Sequence, residues 1–518
     1  MDTTDPVATP ARAGGERAVL TAAILASSMA FIDGSALNVA LPAVQTDLHL
    51  SGAELLWVVN GYALVLAALI LAGGALGDQL GRKRVFMAGI ALFAGMSLLG
   101  GLAPTGGWLI AARAGQGLGG ALMVPGSLSL LSATFSGQRR GQAIGTWGAF
   151  STLTTILGPV LGGLLAGAGW WRGVFFINLP LAALALFFLR GVPESHAADT
   201  TARLDVRGAV LATLGLGAIT YGCTTAASAG WGDPVVVAAL VIGIVACGTF
   251  VGLEARTAHP LLPLDLFRGR TFSVTNAITL LLYGALGGAL FFLPLNLIQV
   301  QGYTATPTGL ALVPFAALVT VISRPAGRWA DRVGPRPALS IGPALVALGF
   351  AAAALPGLTT GPDAYWTSYF PAILLLGVGM GITIAPLTSA VMGAAPADRA
   401  GAASGVNNAV ARTAGVLAVA VLGAVVLIVF HQALGSRTAS LDLPTAASSA
   451  LQAAADQLGN TPVPDAVPAA GRAAVALAIR LAFVDAFRIV TGTAAVLAAL
   501  SAGLALLLLP TQRPTPPA

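Results

Sequence analysis

Long apolar runs separated by short polar breaks make up nearly the whole chain. Runs of membrane-spanning length fall at about 19–41, 55–76, 86–104, 108–131, 143–167, 173–190, 206–226, 234–253, 272–298, 309–327, 338–357, 369–391, 406–430 and 484–509. Each is close to the ~20 residues an α-helix needs to cross a hydrocarbon core. The pattern predicts an all-α integral membrane protein with about fourteen transmembrane helices.

The polar breaks carry a second pattern. Breaks after even-numbered runs are basic: Arg82, Lys83 and Arg84; Arg139 and Arg140; Arg203 and Arg207; Arg256, Arg268 and Arg270; Arg328, Arg332 and Arg336; and Arg399. Short breaks after odd-numbered runs are nearly free of Lys and Arg, Arg172 being the exception. Basic loops stay in the cytoplasm, which predicts a cytoplasmic N-terminus and, with an even number of spans, a cytoplasmic C-terminus. Arg12 and Arg17 precede the first run, which is long enough to span and is read as an uncleaved helix. Residues 431–482, rich in Ala, Pro, Ser and Asp, form a long external loop in this reading, with 469–482 as a solvated connector or a surface amphipathic helix.

Composition agrees with the pattern. The chain has 518 residues, 56% of them hydrophobic and 9% charged, and a mean hydropathy of +0.85. Soluble domains carry about 25% charged residues, so most of this surface must face lipid. The net charge of +6 is spread between the runs rather than gathered in a patch, which argues against nucleic acid as a partner. Lys83 is the only lysine, a bias that, with abundant Ala and Gly, points to a GC-rich bacterial genome. Cys223 and Cys247 lie in apolar stretches and read as small buried hydrophobes rather than a disulfide or metal pair. His49, His196, His259 and His431 are scattered, and no phosphate-binding Gly-x4-Gly-Lys-Ser/Thr loop occurs. Neither an enzyme, nor an ATP-driven pump, nor a cofactor is expected.

One element occurs twice. Gly74-Ala-Leu-Gly-Asp78-Gln-Leu-Gly81-Arg82-Lys83-Arg follows the second run, and Gly327-Arg-Trp-Ala-Asp331-Arg-Val-Gly334-Pro-Arg336 follows the tenth. Two six-helix repeats would place the second copy after the eighth run, so two helices are inserted between the halves. The resulting organisation is a tail at 1–18, a six-helix bundle at 19–190, two additional helices with linkers at 191–271, a second six-helix bundle at 272–510 and a tail at 511–518. Parallel repeats of this kind are a known transporter plan.

Four local motifs carry candidate chemistry. Asp33, in Phe31-Ile-Asp33-Gly-Ser-Ala-Leu-Asn38-Val-Ala-Leu-Pro42, falls inside the first run. An acid at that depth must be paired, protonated or beside water. In the repeated loop, glycines permit a tight turn, and Asp78 is placed to meet a helix N-terminus or an arginine across the face. Arg113, Gln116, Gly117 and Gly120 share one helical face in the fourth run and suggest a polar seam facing a cavity. Gly158-Pro159-Val-Leu-Gly162-Gly163 in the fifth run predicts a bend and a close helix seal. In the second half, Arg324, Arg412, Asp485 and Arg488 fall within or at the ends of runs; the last three are expected near the interface. Pro294, Asn296, Gln299 and Gln301 read as cavity or packing positions. No second deep acid occurs in that half, which argues against divalent cations as substrates.

Over nearly the whole chain these motifs resemble the major facilitator superfamily, in its fourteen-span drug:proton antiporter branch. The resemblance implies two six-helix bundles with two inserted helices. It implies a proton-coupled exporter of small lipophilic drugs, dyes or antibiotics in the bacterial cell membrane, working as a monomer in contact with lipid. It assigns proton coupling and substrate handling to Asp33, Asn38, Arg113 and Gln116. The conformational motif is Gly74, Asp78, Gly81, Arg82 and Lys83 with Asp331 and Gly334, and the antiporter motif is Gly158, Pro159, Gly162 and Gly163. A proton symporter importing a small metabolite is the alternative; it shares the fold and the loop but lacks the Gly158-Pro159 pattern.

Overall fold

A computed structural model describes residues 13–195, 205–257, 260–396 and 399–510. Arg12, His196, Arg203, His259 and Arg513 lie outside the described residues. Fourteen apolar helices follow one another: α1 (Ala13–Leu48), α2 (Gly52–Leu80), α3 (Arg82–Gly101), α4 (Gly106–Thr134), α5 (Gly137–Gly167), α6 (Gly173–Leu189), α7 (Val206–Ala229), α8 (Pro234–Glu254), α9 (Arg270–Val300), α10 (Ala305–Val333), α11 (Pro335–Ala353), α12 (Phe370–Gly393), α13 (Ala400–Thr438) and α14 (Ala469–Leu508). Among the described residues thirteen are long and apolar enough to cross a membrane; α6, at the sixth predicted run, is shorter. The chain is a multi-pass membrane protein.

Helix packing separates two bundles. In the first, α1 lies against α5 and α6, and α4 against α2 and α3; in the second, α12 lies against α10 and α11, and α14 against α9, α11 and α13. Lipid removes the hydrophobic drive for association, so close backbone approach takes its place. A Cβ on Gly73 of α2 would sit 2.0 Å from the Ala121 carbonyl oxygen of α4, and one on Gly117 2.5 Å from that of Tyr62. The bundles meet along two seams, α2 against α13 and α5 against α10. The additional helices α7 and α8 pair with each other, and α7 lies over the α2–α13 seam. Beneath it is an apolar cavity of about 450 Å³ lined by Leu71, Leu216, Phe250 and Val410.

The last two helices are longer than the apolar pattern predicts. Residues 439–468 connect them, with a short helix at Thr445–Ala454 and a 3-10 turn at Ala455–Asn460. The stretch 469–482 is therefore neither a connector nor a surface helix but the start of α14, burying Val475, Ile479 and Ala482. Arg472 and Arg480 hid it from a hydropathy reading, yet both find backbone acceptors. Arg480 donates to the Val300 carbonyl at 2.8 Å, and Asp485 pairs with Arg437 at 2.5 Å. Arg488 donates to the carbonyls of Ala354 and Leu355 at this same end.

Candidate functional site

Asp33 and Arg113 are fully buried and form an ion pair between α1 and α4. Every helix of the first bundle except α5 contributes to their surroundings. Arg113 also donates through Nε to the Val58 carbonyl of α2 at 3.1 Å and to Gln116 Oε1 at 2.8 Å. The Gln116 amide donates to Asp33 Oδ1 at 3.2 Å and to the Ser97 hydroxyl of α3 at 2.8 Å. Asn178 of α6 donates to the same two groups, at 3.3 and 3.2 Å. Five helices thus meet in one node, with α4 and α6 bonding the carboxylate directly. The Arg113–Gln116 spacing places both on one face of α4, as read from the sequence, but that face turns into the bundle, not toward a cavity.

An open space lies across Tyr62. The Arg113 guanidinium sits 4.5 Å from the Tyr62 ring centre. The same residue lines a cavity of about 220 Å³ between the bundles, together with Asn38, Asn60, Phe291 and Arg412. Asn38 is therefore a cavity residue and not a member of the Asp33 node. Arg412 is not at the interface either; it faces this cavity from α13.

The Gly158–Gly163 motif makes two contacts. A Cβ on Gly162 would lie 2.1 Å from the Ala36 carbonyl oxygen, so α5 seals onto α1 three residues from Asp33. A Cβ on Gly163 would lie 2.6 Å from the Ala305 carbonyl oxygen, and Thr306 donates to the Gly163 carbonyl at 3.1 Å, so the same motif seals onto α10. Gly309 meets the Pro159 carbonyl oxygen at 2.2 Å from its Cβ direction. At the same end Gln299 donates to Gln45 at 2.7 Å, and Gln45 to the Gln457 carbonyl at 3.2 Å. Asn296 donates to the Tyr369 phenol at 2.7 Å. Gln299 thus closes the two bundles against each other at the end nearest 439–468, whereas Asn296 and Gln301, which donates to the Gly357 carbonyl at 3.0 Å, bond within the second bundle.

A sequence profile of the Major Facilitator Superfamily matches residues 23–420. The chain belongs to the Major Facilitator Superfamily. It is 34% identical over 398 residues to the "Multidrug resistance protein Stp" of Mycobacterium tuberculosis (strain CDC 1551 / Oshkosh), covering 77% of this chain and 73% of that one. It is 36% identical to the "Puromycin resistance protein pur8" of Streptomyces alboniger, over 78% and 81% of the two chains. It is 31% identical to the "Tetracenomycin C resistance and export protein" of Streptomyces glaucescens, over 94% and 90%. In fold it is similar to a bacterial homolog of the human lysosomal transporter Spinster, solved inward-facing and occupied, with a TM-score of 0.62, 18% identity and 96% and 97% of the chains covered.

The repeated loop has a local geometry in each copy. Gly81 (φ 109°) ends α2 and Gly334 (φ 85°) ends α10, each followed at once by the next helix. Asp78 pairs with Arg82 of its own loop at 2.8 Å instead of reaching across the face. The N-terminus of α3, which follows at once, is held by Glu194, which accepts from the Lys83 and Arg84 amides at 2.8 and 3.1 Å. Lys83 in turn donates to the carbonyls of Val192 and Arg190 at 2.6 and 3.3 Å. A Cβ on Gly74 would make ordinary contact with Pro125 at 3.5 Å; its neighbour Gly73 is the crowded position. Asp331 and Arg324 are exposed.

Two residues of the Asp33 node carried no assigned chemistry in the sequence reading: Ser97, whose only signal was a polar side chain in an apolar run, and Asn178, in the segment Trp171–Pro180, which resembles the same family branch. Glu254 is buried at the end of α8, accepting from the Leu262 amide at 2.7 Å beside Asp205. It belongs to the inserted helix pair.

Proposed function

We propose that this chain is a proton-coupled antiporter exporting small lipophilic compounds from a bacterial cell, a monomer with both termini in the cytoplasm. The drug-resistance and export names of its relatives support the substrate class, and the basic loops at one end support the orientation. The observation that carries the reading is the Asp33 node: a buried carboxylate with one cationic partner, one aromatic ring away from the space between the bundles.

Magnitudes support the coupling. Protonating Asp33 leaves Arg113 without its counter-charge, and breaking a buried pair from one side costs about 3–5 kcal/mol. One proton moving inward supplies about 2.3 kcal/mol per 100 mV of potential and about 1.4 kcal/mol per tenfold concentration ratio. The two scales match, so proton binding is able to bias a rocking equilibrium of the bundles. In the state described here the Gln45–Gln299 end is closed. Asp33 releases its proton toward the basic end, substrate binds from that side, and reprotonation from the opposite side follows the switch.

The test is efflux of puromycin, of ethidium and of naphthalene-1-acetate from proteoliposomes under an imposed pH gradient. Wild-type protein is expected to move at least one of them uphill, and Asp33→Asn to abolish the pH dependence. Coupled efflux that persists in Asp33→Asn removes this carboxylate from the mechanism, and gradient-driven accumulation on the wrong side reverses the direction.

A further inference from the structure

The cavity between α2 and α13 holds charge that the Asp33 node does not use. Asn60 of α2 is 1% exposed, and neither its amide nitrogen nor its oxygen has a hydrogen-bond partner. Arg412 of α13 faces it with a buried Nε that is also unpartnered, and no ion pair or hydrogen bond of Arg412 occurs among the described residues. Buried polar groups in native proteins are nearly always satisfied, so two on facing walls of one cavity mark a place for a ligand. Because Asp33 and Arg113 neutralise each other behind Tyr62, the field in the cavity is set by Arg412.

We propose that this cavity takes the negatively charged group of an amphiphilic organic anion, which makes such anions the preferred substrates. A guanidinium offers only donors and matches a planar, two-oxygen acceptor such as a carboxylate. The Asn60 amide supplies a further donor. Val59, Phe291, Val416 and Val419 complete the wall and receive an apolar body. A volume of about 220 Å³ holds an acidic group with its first ring, at about 30 Å³ per water-sized unit. A cation entering here would meet Arg412 without a compensating carboxylate.

The inference rests on the export reading and adds an electrical consequence. Exchange of one inward proton for one outward anion moves two charges in the same direction. At 100 mV each charge multiplies the attainable gradient about 50-fold. An anion therefore gains about 2,500-fold from potential where a neutral molecule gains about 50-fold.

Two probes with one ring system and opposite charge test it: radiolabelled naphthalene-1-acetate and 1-naphthylmethylammonium, bound at equilibrium to the full-length protein in nanodiscs. Wild-type protein is expected to bind the carboxylate at least ~10-fold more tightly, as a single charge-assisted contact requires. Arg412→Gln should remove that preference and Arg412→Lys should keep part of it. Gly415→Leu should weaken the carboxylate alone, because a Cβ at Gly415 on this cavity wall meets nothing within 4 Å and grows into the space. Equal or tighter binding of the ammonium by wild-type protein overturns the proposal without needing any variant to fold, as does an unchanged preference in Arg412→Gln. Since no gradient is applied, failure of export leaves this result standing, and export of cations alone with no anion preference defeats the inference while leaving export intact.

Discussion

In the first bundle the deep acid Asp33 and the deep cation Arg113 cancel each other inside a node of five helices, whereas in the second bundle Arg412 faces the cavity with no carboxylate paired to it among the described residues. Yet the halves begin from one backbone plan. Gly81 and Gly334 close α2 and α10 with the same left-handed turn, and each opens directly into a new helix. The difference shows which parts of a duplicated transporter are free to diverge. Turns and close helix approaches recur, since they define the scaffold. Charge does not recur: on the readings proposed above, one half handles the proton and the other the charge of the cargo.

Removing one member of the pair should break this comparison most severely. Asp33→Asn leaves Arg113 buried and uncompensated, so we expect a loss of about 3–5 kcal/mol in stability together with loss of pH-driven efflux. The double substitution Asp33→Asn with Arg113→Gln should recover most of the stability and none of the efflux, a large coupling energy of the kind expected for contacting residues. Thermal unfolding in detergent and efflux from proteoliposomes read the two effects separately. Additive destabilisation in the double variant would mean that the pair is not the energetic unit its geometry indicates.

The α1–α5 seal should respond next. A methyl on Gly162 lies 2.1 Å from the Ala36 carbonyl oxygen, a backbone atom that cannot swing aside. Overpacking of this kind costs about 1–3 kcal/mol. Gly162→Ala is expected to part α5 from α1 beside Asp33 and to raise passive proton permeability of vesicles. Gly145→Ala on the same helix, where a Cβ meets nothing within 4 Å, should leave permeability unchanged. A leak of equal size in both variants would assign the effect to helix composition rather than to the seal.

The architecture was largely legible because hydrocarbon thickness fixes helix length and a charge-poor chain has few other solutions. Asp33, Arg113 and Gln116 stood out for the same reason, as charge and amide groups where lipid-facing helices have none. What escaped was the direction each side chain faces. Asn38 and Arg113 carry no periodicity that tells a cavity wall from a bundle interior, and the two faces differ only after α2 places Tyr62 between them. Asn178 is 145 residues from Asp33 and meets it only because α6 lies beside α1. The start of α14 was hidden by Arg472 and Arg480, which lower its hydropathy but find backbone acceptors at Pro464, Val463 and Val300.

The smallest effect belongs to the repeated loop, where the two copies solve one problem differently. A helix N-terminus leaves backbone amides without acceptors. In the first copy Glu194 accepts from the amides of Lys83 and Arg84. In the second, α11 opens on Pro335, which has no amide hydrogen to satisfy. Glu194→Ala should therefore lower stability by about 1 kcal/mol, the scale of a lost helix cap, while pH-driven efflux keeps its coupling. Pro335→Ala should change stability by no more than a few tenths of that. If Glu194→Ala instead uncouples efflux at unchanged stability, the carboxylate is a conformational contact of the first bundle alone, and the asymmetry between the halves extends from their buried charges to their loops.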